Sequence, residues 1–222
     1  MNEFISVFSD SDPTNVSTSV KLLLLLTVLS LAPSILILMT SFARIVIVLS
    51  FTRTALATNQ MPPNQVIIGL ALFLTFFIMA PTLQEVNEQA LQPLFDEEIG
   101  LEEAYERAAI PFKEFMAKHT RQKDLELFLE YNQAERPQSI EDISLTTLVP
   151  AFALSEIKTA FQMGFMIFIP FLVIDMIVAS VLMAMGMMML PPVMISLPFK
   201  ILLFILVDGW YLVMKSLLQS FN

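Results

Sequence analysis

The stretch LVPAFALSEIKTAFQMGFMIFIPFLVIDMIVASVLMAMGMMML, residues 148–190, decides the fold class. About 20 predominantly apolar residues carry an α-helix across a bilayer. This run exceeds that length, so it makes a helical hairpin or one broken span. Its ionisable residues are few: Glu156 and Lys158 near the beginning and Asp175 inside, with Pro170 between. Outward from it lie three further apolar blocks: Leu22 to about Phe51, Val66–Ala80, and Val193–Leu218. The chain is 56% hydrophobic and only 15% charged, with a mean hydropathy of +0.72. A soluble domain carries about 25% charged residues, so a cytosolic globule is excluded.

The expected fold is all-α: a multi-helical membrane protein of broken helical hairpins, with four nominal hydrophobic segments and a small acidic helical insert. The divisions are a polar N-terminal segment (1–21), a first hydrophobic region (22–81), the insert (82–149) and a second hydrophobic region (150–222). Residues 1–21 hold Glu3, Asp10 and Asp12. A secretory signal begins with a basic stretch, so the apolar run from Leu22 is read as retained.

Charge is concentrated in the insert. Residues 82–149 carry 15 Asp/Glu and 6 Lys/Arg, which accounts for the whole net charge of −9. Nucleic-acid binding needs a basic surface, so no nucleic-acid partner is expected. Within the insert, the spacing of apolar residues predicts one helix over 101–109 and a second over 112–131, with Pro111 opening the second. A subdomain of this size has a meagre core of its own and leans on its own membrane segments or on neighbouring copies. Pro62 and Pro63 suit a turn or a helix start, and Pro81 is read as the exit from the second block.

Enzymatic chemistry finds little support. There is no cysteine, a single histidine (His119), no GxxxxGK[ST] and no HExxH; no metal site or cofactor is expected. Asp175 and Asp208 invite comparison with an intramembrane aspartyl pair. No glycine precedes either, and a shared proton demands a close approach. The methionines are more informative. In MAMGMMMLPP (183–192), Met187, Met188 and Met189 are consecutive. On a helix they would fan out about 100° apart, so they cannot share one core face. In a loop held by Gly186 and by Pro191–Pro192, all three can project from one bent strip. Repeated around an axis, such a strip is a dry, deformable collar, and hydrophobic constrictions gate by dewetting. A Cu(I) site is the chemical alternative, because thioethers select Cu(I).

Arg44, Arg53, Glu156, Lys158, Asp175, Lys200 and Asp208 lie in or beside apolar runs. Such residues mark an aqueous path or an inter-subunit pair. Arg44 and Arg53 precede the first inter-block turn, and Lys200 follows the turn after the methionines. The positive-inside rule puts both turns on the cytoplasmic side, with the N-terminus, insert and C-terminus outside.

Four long strings together resemble one family. MTSFARIVIVLSFTRTAL (39–56), MPPNQVIIGLALFLTFFIMAP (61–81), residues 155–192 and ISLPFKILLFILVDGW (195–210) are similar to the FliP/SctR family. These are export-gate subunits of bacterial type III secretion. The double proline after the methionines and MPPNQ resemble the flagellar branch more than the virulence injectisome. Family members often carry a cleavable N-terminal signal, and asparagine and glycine around the first turn, where this chain has Thr54 and Ala57. The resemblance implies a pentameric homo-oligomer joined by FliQ-like and FliR-like subunits, with FlhB and FlhA-type proteins beside it. It implies a closed channel for unfolded export substrates in the inner membrane, within the flagellar basal body. It also implies that much of the hydropathy-predicted membrane material is lifted above the bilayer. The family's methionine gasket maps onto Met187, Met188 and Met189, with Met185 adjacent. A small-solute or Cu(I) transporter is the reading from another class.

Overall fold

A computed structural model describes residues 33–58, 60–132, 137, 139–187 and 189–221, with isolated positions 23, 26, 27 and 30 before them. Segment 1–21 and Met188 lie outside the described residues. The chain forms two compact units, 1–37 and 38–222. The described residues of the first are helical; Thr27 and Ser30 hydroxyls donate to the carbonyls of Leu23 and Thr27, both at 2.8 Å.

The described residues of the second unit are helical, with no strand among them. The order is α1 (Phe42–Ala55), α2 (Asn64–Val86), a π-helical turn (Asn87–Leu91), α3 (Gln92–Phe95), α4 (Leu101–His119), α5 (Gln122–Tyr131), α6 (Leu145–Ala184), α7 (Pro192–Leu206) and α8 (Gly209–Gln219).

The run that opened the sequence reading is neither a hairpin nor a broken span. It is one continuous helix, α6, of 40 residues. Pro150 and Pro170 lie inside it. Each deprives one carbonyl, that of Thr146 or Met166, of its i→i−4 donor. The flanking turns keep theirs; packing along the first half supports the axis at Pro150, and the buried Phe171 seats the helix beside Pro170. Ser144 caps the start by accepting from the Thr146 N–H at 3.3 Å. At 1.5 Å per residue α6 is about 60 Å long, twice the roughly 30 Å hydrocarbon core of a bilayer.

Two prolines were also expected to end or begin helices and do not. Pro81 lies inside α2, and the helical path runs on through the π turn to Phe95. Pro111 lies inside α4, and the break between insert helices falls instead at Thr120–Arg121, both extended. Burial explains Pro111: it is packed in the interior, where its ring fills space at the cost of one bond from the Arg107 carbonyl.

The central interface is α1 against α6. From α1, Phe42, Ile45, Val48, Leu49, Thr52 and Ala55 are buried, the i, i+3, i+7 spacing of a single helix face. On α6 small residues admit the close approach: Ala151, Ser155, Ala160 and Gly164 are buried. At Gly164 an added Cβ would lie 2.5 Å from the Phe51 ring, so only glycine fits. Phe51 then stands edge-on to Phe161, 5.1 Å between centroids.

The insert has no core of its own. Met116 and Ile143 bury against Leu148 and Phe152 of α6, with Phe112, Phe115 and Leu125 around them. Polar contacts reinforce this: Ser155 Oγ accepts from the Arg121 N–H at 3.0 Å and donates to Asp124 at 2.7 Å. Arg121 reaches Gln162 at 2.7 Å, and Asn132 donates to Thr147 at 3.0 Å. One face of the first half of α6 is therefore covered by protein, while Leu154, Ile157 and Phe161 on the other face stay exposed. The second half exposes Phe165, Met166, Val173, Met176, Ile177 and Val181.

By length and composition α2 with its continuation (Asn64–Phe95) and α6 can cross a membrane. Two helical pairs, Pro33–Met39 with α1 and α7 with α8, pass the same test when each is taken together, giving two to four candidate spans.

Candidate functional site

The methionine strip begins where α6 stops. Gly186 adopts the left-handed conformation, φ +74°. Its N–H donates to Met183 O at 3.0 Å, and the Met187 N–H reaches back to Leu182 O at 3.0 Å. This is a Schellman C-cap, closed by two reverse hydrogen bonds around one left-handed residue. Leu182 and Met187 then line the same apolar cavity, about 550 Å³, together with Met185, Val181, Ile195 and Phe199. Pro191 is extended and Pro192 takes the first position of α7, where its missing donor costs nothing. Between these two fixed ends Met189 points into open space, while Met187 divides its surface between the cavity and solvent. Met183 and Met185 are exposed, Met187 is 40% exposed and Met189 98%.

Two ion pairs, one part-buried and one fully buried, fix the helices on either side. Asp175 of α6 and Lys200 of α7 meet at 2.6 Å. Lys200 also donates to the Ala55 carbonyl of α1 at 3.4 Å, and Ser196 donates to the other Asp175 oxygen. Ser196 and Lys200, four residues apart, share one face of α7 and clamp one carboxylate. The strip between α6 and α7 is thus anchored on both sides.

The second pair is deeper. Arg44 of α1 and Glu156 of α6 are 3% and 0% exposed. The guanidinium is bidentate: Nε donates to Oε2 at 2.9 Å and Nη2 to Oε1. Nη1 extends to the end of α8, donating to Ser220 O at 2.8 Å and Ser220 Oγ at 2.9 Å. Its Cζ lies 3.8 Å from the centre of the Phe221 ring, a cation–π geometry. Phe115 stacks on Phe221 and His119 meets it edge-on at 5.2 Å. Burial, then the Arg44 charge and Lys118, lower the His119 pKa to about 4.

Arg44, Glu156, Asp175 and Lys200 therefore find opposite charges within the chain. Arg53 instead braces the first turn, donating to Pro62 O at 3.2 Å and to Asn64 at 2.6 Å. Lys158 is exposed on α6, and Asp208 is exposed at the left-handed break between α7 and α8. Sequence reasoning missed Ser196, Ser220 and Phe221. The i, i+4 spacing of Ser196 and Lys200 was a readable signal. The tail residues lie 176 positions from Arg44, and nothing local marks them. Among the described residues there is no cluster of acidic, histidine or cysteine side chains able to hold a metal ion.

The fold and its site define a class: an all-helical membrane-type protein that places a methionine loop between two helices pinned by an ion pair. Comparison with known proteins makes the class particular. Residues 25–217 match the model of the FliP family. The chain is 75% identical over 221 residues to flagellar biosynthetic protein FliP of Bacillus subtilis (strain 168), with both chains covered in full. It is 55% identical to the protein of that name from Pectobacterium carotovorum subsp. carotovorum, covering 91% of this chain and 79% of that one. With the Aquifex aeolicus (strain VF5) protein of the same name it shares 53% identity, over 94% and 88% of the two chains. The chain belongs to the FliP family, whose members named here are flagellar biosynthetic proteins.

Proposed function

We propose that this chain is a core, non-enzymatic subunit of the flagellar type III protein-export gate in the bacterial inner membrane. Copies form a closed ring, pentameric by resemblance, with FliQ-like and FliR-like subunits, FlhB and FlhA-type proteins beside it and unfolded substrates passing through. Met185, Met187, Met188 and Met189 seal the pore. One observation carries this reading: a fixed helix cap and a double proline hold apolar, flexible thioethers out into open space, with Met189 98% exposed. A lone chain gains nothing from presenting them to water. A collar of such side chains excludes ions when closed and yields to a passing chain.

Helix length supports the division between a membrane-facing part and a part above it. About 30 Å of α6 exceeds a bilayer. The half dressed by the acidic insert, with Ser155, Glu156, Lys158, Thr159 and Gln162, belongs outside the lipid on the extracytoplasmic side. Lys158 and Asp208, exposed here, are then available to neighbouring subunits or to the export path. The test replaces Met185, Met187, Met188 and Met189 with alanine. Assembly should persist while ion leak through the complex rises at least several-fold. An intact complex of unchanged conductance would refute the seal. Tight stoichiometric Cu(I) binding would favour the transporter reading instead.

A further inference from the structure

α8 buries a narrow stripe, Gly209, Val213 and Leu217, and its specific polar and aromatic contacts are gathered at its two ends. At its start, Trp210 stands edge-on to Phe204 of α7, 5.3 Å between centroids. Its middle exposes Tyr211 and Leu212, with Val213 and Leu217 turned inward. At its far end Ser220 and Phe221 are gripped by Arg44, Phe115 and His119. The groups that grip come from α1 and α4, not from the α7 arm to which α8 is joined.

We propose that Ser220 and Phe221 form a releasable clasp, and that α8 detaches as a unit when it opens. Three features make the clasp separable from the core. The guanidinium uses different nitrogens for its two jobs: Nε and Nη2 serve Glu156, while Nη1 serves Ser220. Losing the tail therefore leaves the buried charge still paired, and the penalty of an orphaned ion is avoided. Next, a hinge is already present. Asp208 occupies the left-handed region, φ +52°, and its side chain makes no cap. Gly209 follows; an added Cβ there would lie 2.3 Å from the Phe204 ring. The axes of α7 and α8 differ by 63° across this break. Finally, α7 does not depend on the clasp, because Lys200 and Asp175 pin it to α6. Opening thus moves α8 about Asp208–Gly209 while α7 and the methionine loop keep their anchor.

Release also uncovers one edge of a groove of about 760 Å³ between α2, α4 and the tail, to which Phe77, Glu85, Glu114, Lys118 and Phe221 contribute. The clasp is therefore a conformational device that joins the C-terminal helix to the acidic insert.

Hydrogen–deuterium exchange of the full chain in detergent tests this with Phe221→Ala and Arg44→Lys. Phe221→Ala removes the ring that faces the cation. Arg44→Lys keeps a charge for Glu156 but loses the fork that spans both partners. Each should speed exchange of the α8 amides on the order of tenfold, the scale of one lost desolvated cation–π contact. α1 and α6 around Arg44–Glu156 should keep their protection. Unchanged α8 exchange, or an equal rise across α1, α4, α6 and α8, overturns the proposal. If Arg44→Lys fails to fold, Phe221→Ala alone decides, since it leaves the ion pair intact.

Discussion

Removing either partner of the Arg44–Glu156 pair should destabilise the protein strongly but unequally. Both side chains are buried and hydrogen-bonded to each other through two parallel contacts. Deleting one member of such a pair strands the other charge, at about 3–5 kcal/mol. Glu156→Leu incurs that cost alone, because Arg44 keeps Ser220 and Phe221. Arg44→Met incurs it and also loses the contacts to Ser220 and the cation–π contact, each worth about 1–2 kcal/mol. The expected order is therefore Arg44→Met worse than Glu156→Leu by roughly 3–6 kcal/mol. The double variant should be much milder than the sum, because apolar residues of similar volume replace a buried pair at little cost. SDS titration of detergent-solubilised protein, followed by helical circular dichroism, measures all four proteins. Additive single effects, or a double variant as unstable as the two singles combined, would refute coupling across the α1–α6 interface.

Three further outcomes follow from the same geometry. Gly164→Ala forces Phe51 to move and should cost about 1–3 kcal/mol by overpacking; Phe51→Leu in the same chain should recover part of it in the same SDS titration. Gly186→Val places a β-branched residue at φ +74°, costs at least about 1–2 kcal/mol locally, and should misdirect Met187 and Met189, read as a conductance change with little loss of total helix. His119 stays neutral when folded, with a pKa of about 4 beside Arg44, Lys118 and the Phe115 and Phe221 rings, whereas an unfolded histidine takes up a proton below about 6.5. Its contribution is therefore full above pH 6.5 and lost as pH falls toward 4. Melting temperature against pH should slope through that window, and His119→Phe should flatten it.

Helical class, the four apolar blocks and the acidic insert were legible because hydropathy and charge are local properties of a chain. The methionine loop was legible for the same reason. Gly186 and the double proline are local backbone instructions, and the Schellman turn carries them out. The prolines at 81, 111 and 170 misled, since a proline's effect on a helix depends on packing around it. One lost hydrogen bond ends an exposed helix but not one supported on a face. The ion pairs show the other limit. Arg44, Glu156, Asp175 and Lys200 stood out as charges in apolar runs, yet which charge met which was settled across separations of 112 and 25 residues.

By itself the sequence determined that this chain is helical and membrane-type, that it carries an insert bearing all its net charge, and that a run of methionines ends at a double proline. Only the tertiary structure decided that α6 runs unbroken for about 60 Å, that the insert packs on one face of its first half, and that Arg44 holds both Glu156 and the tail. The physical reason is range. Backbone preference and hydropathy act over a few residues, whereas burying a charge demands a partner from anywhere in the chain that can reach it.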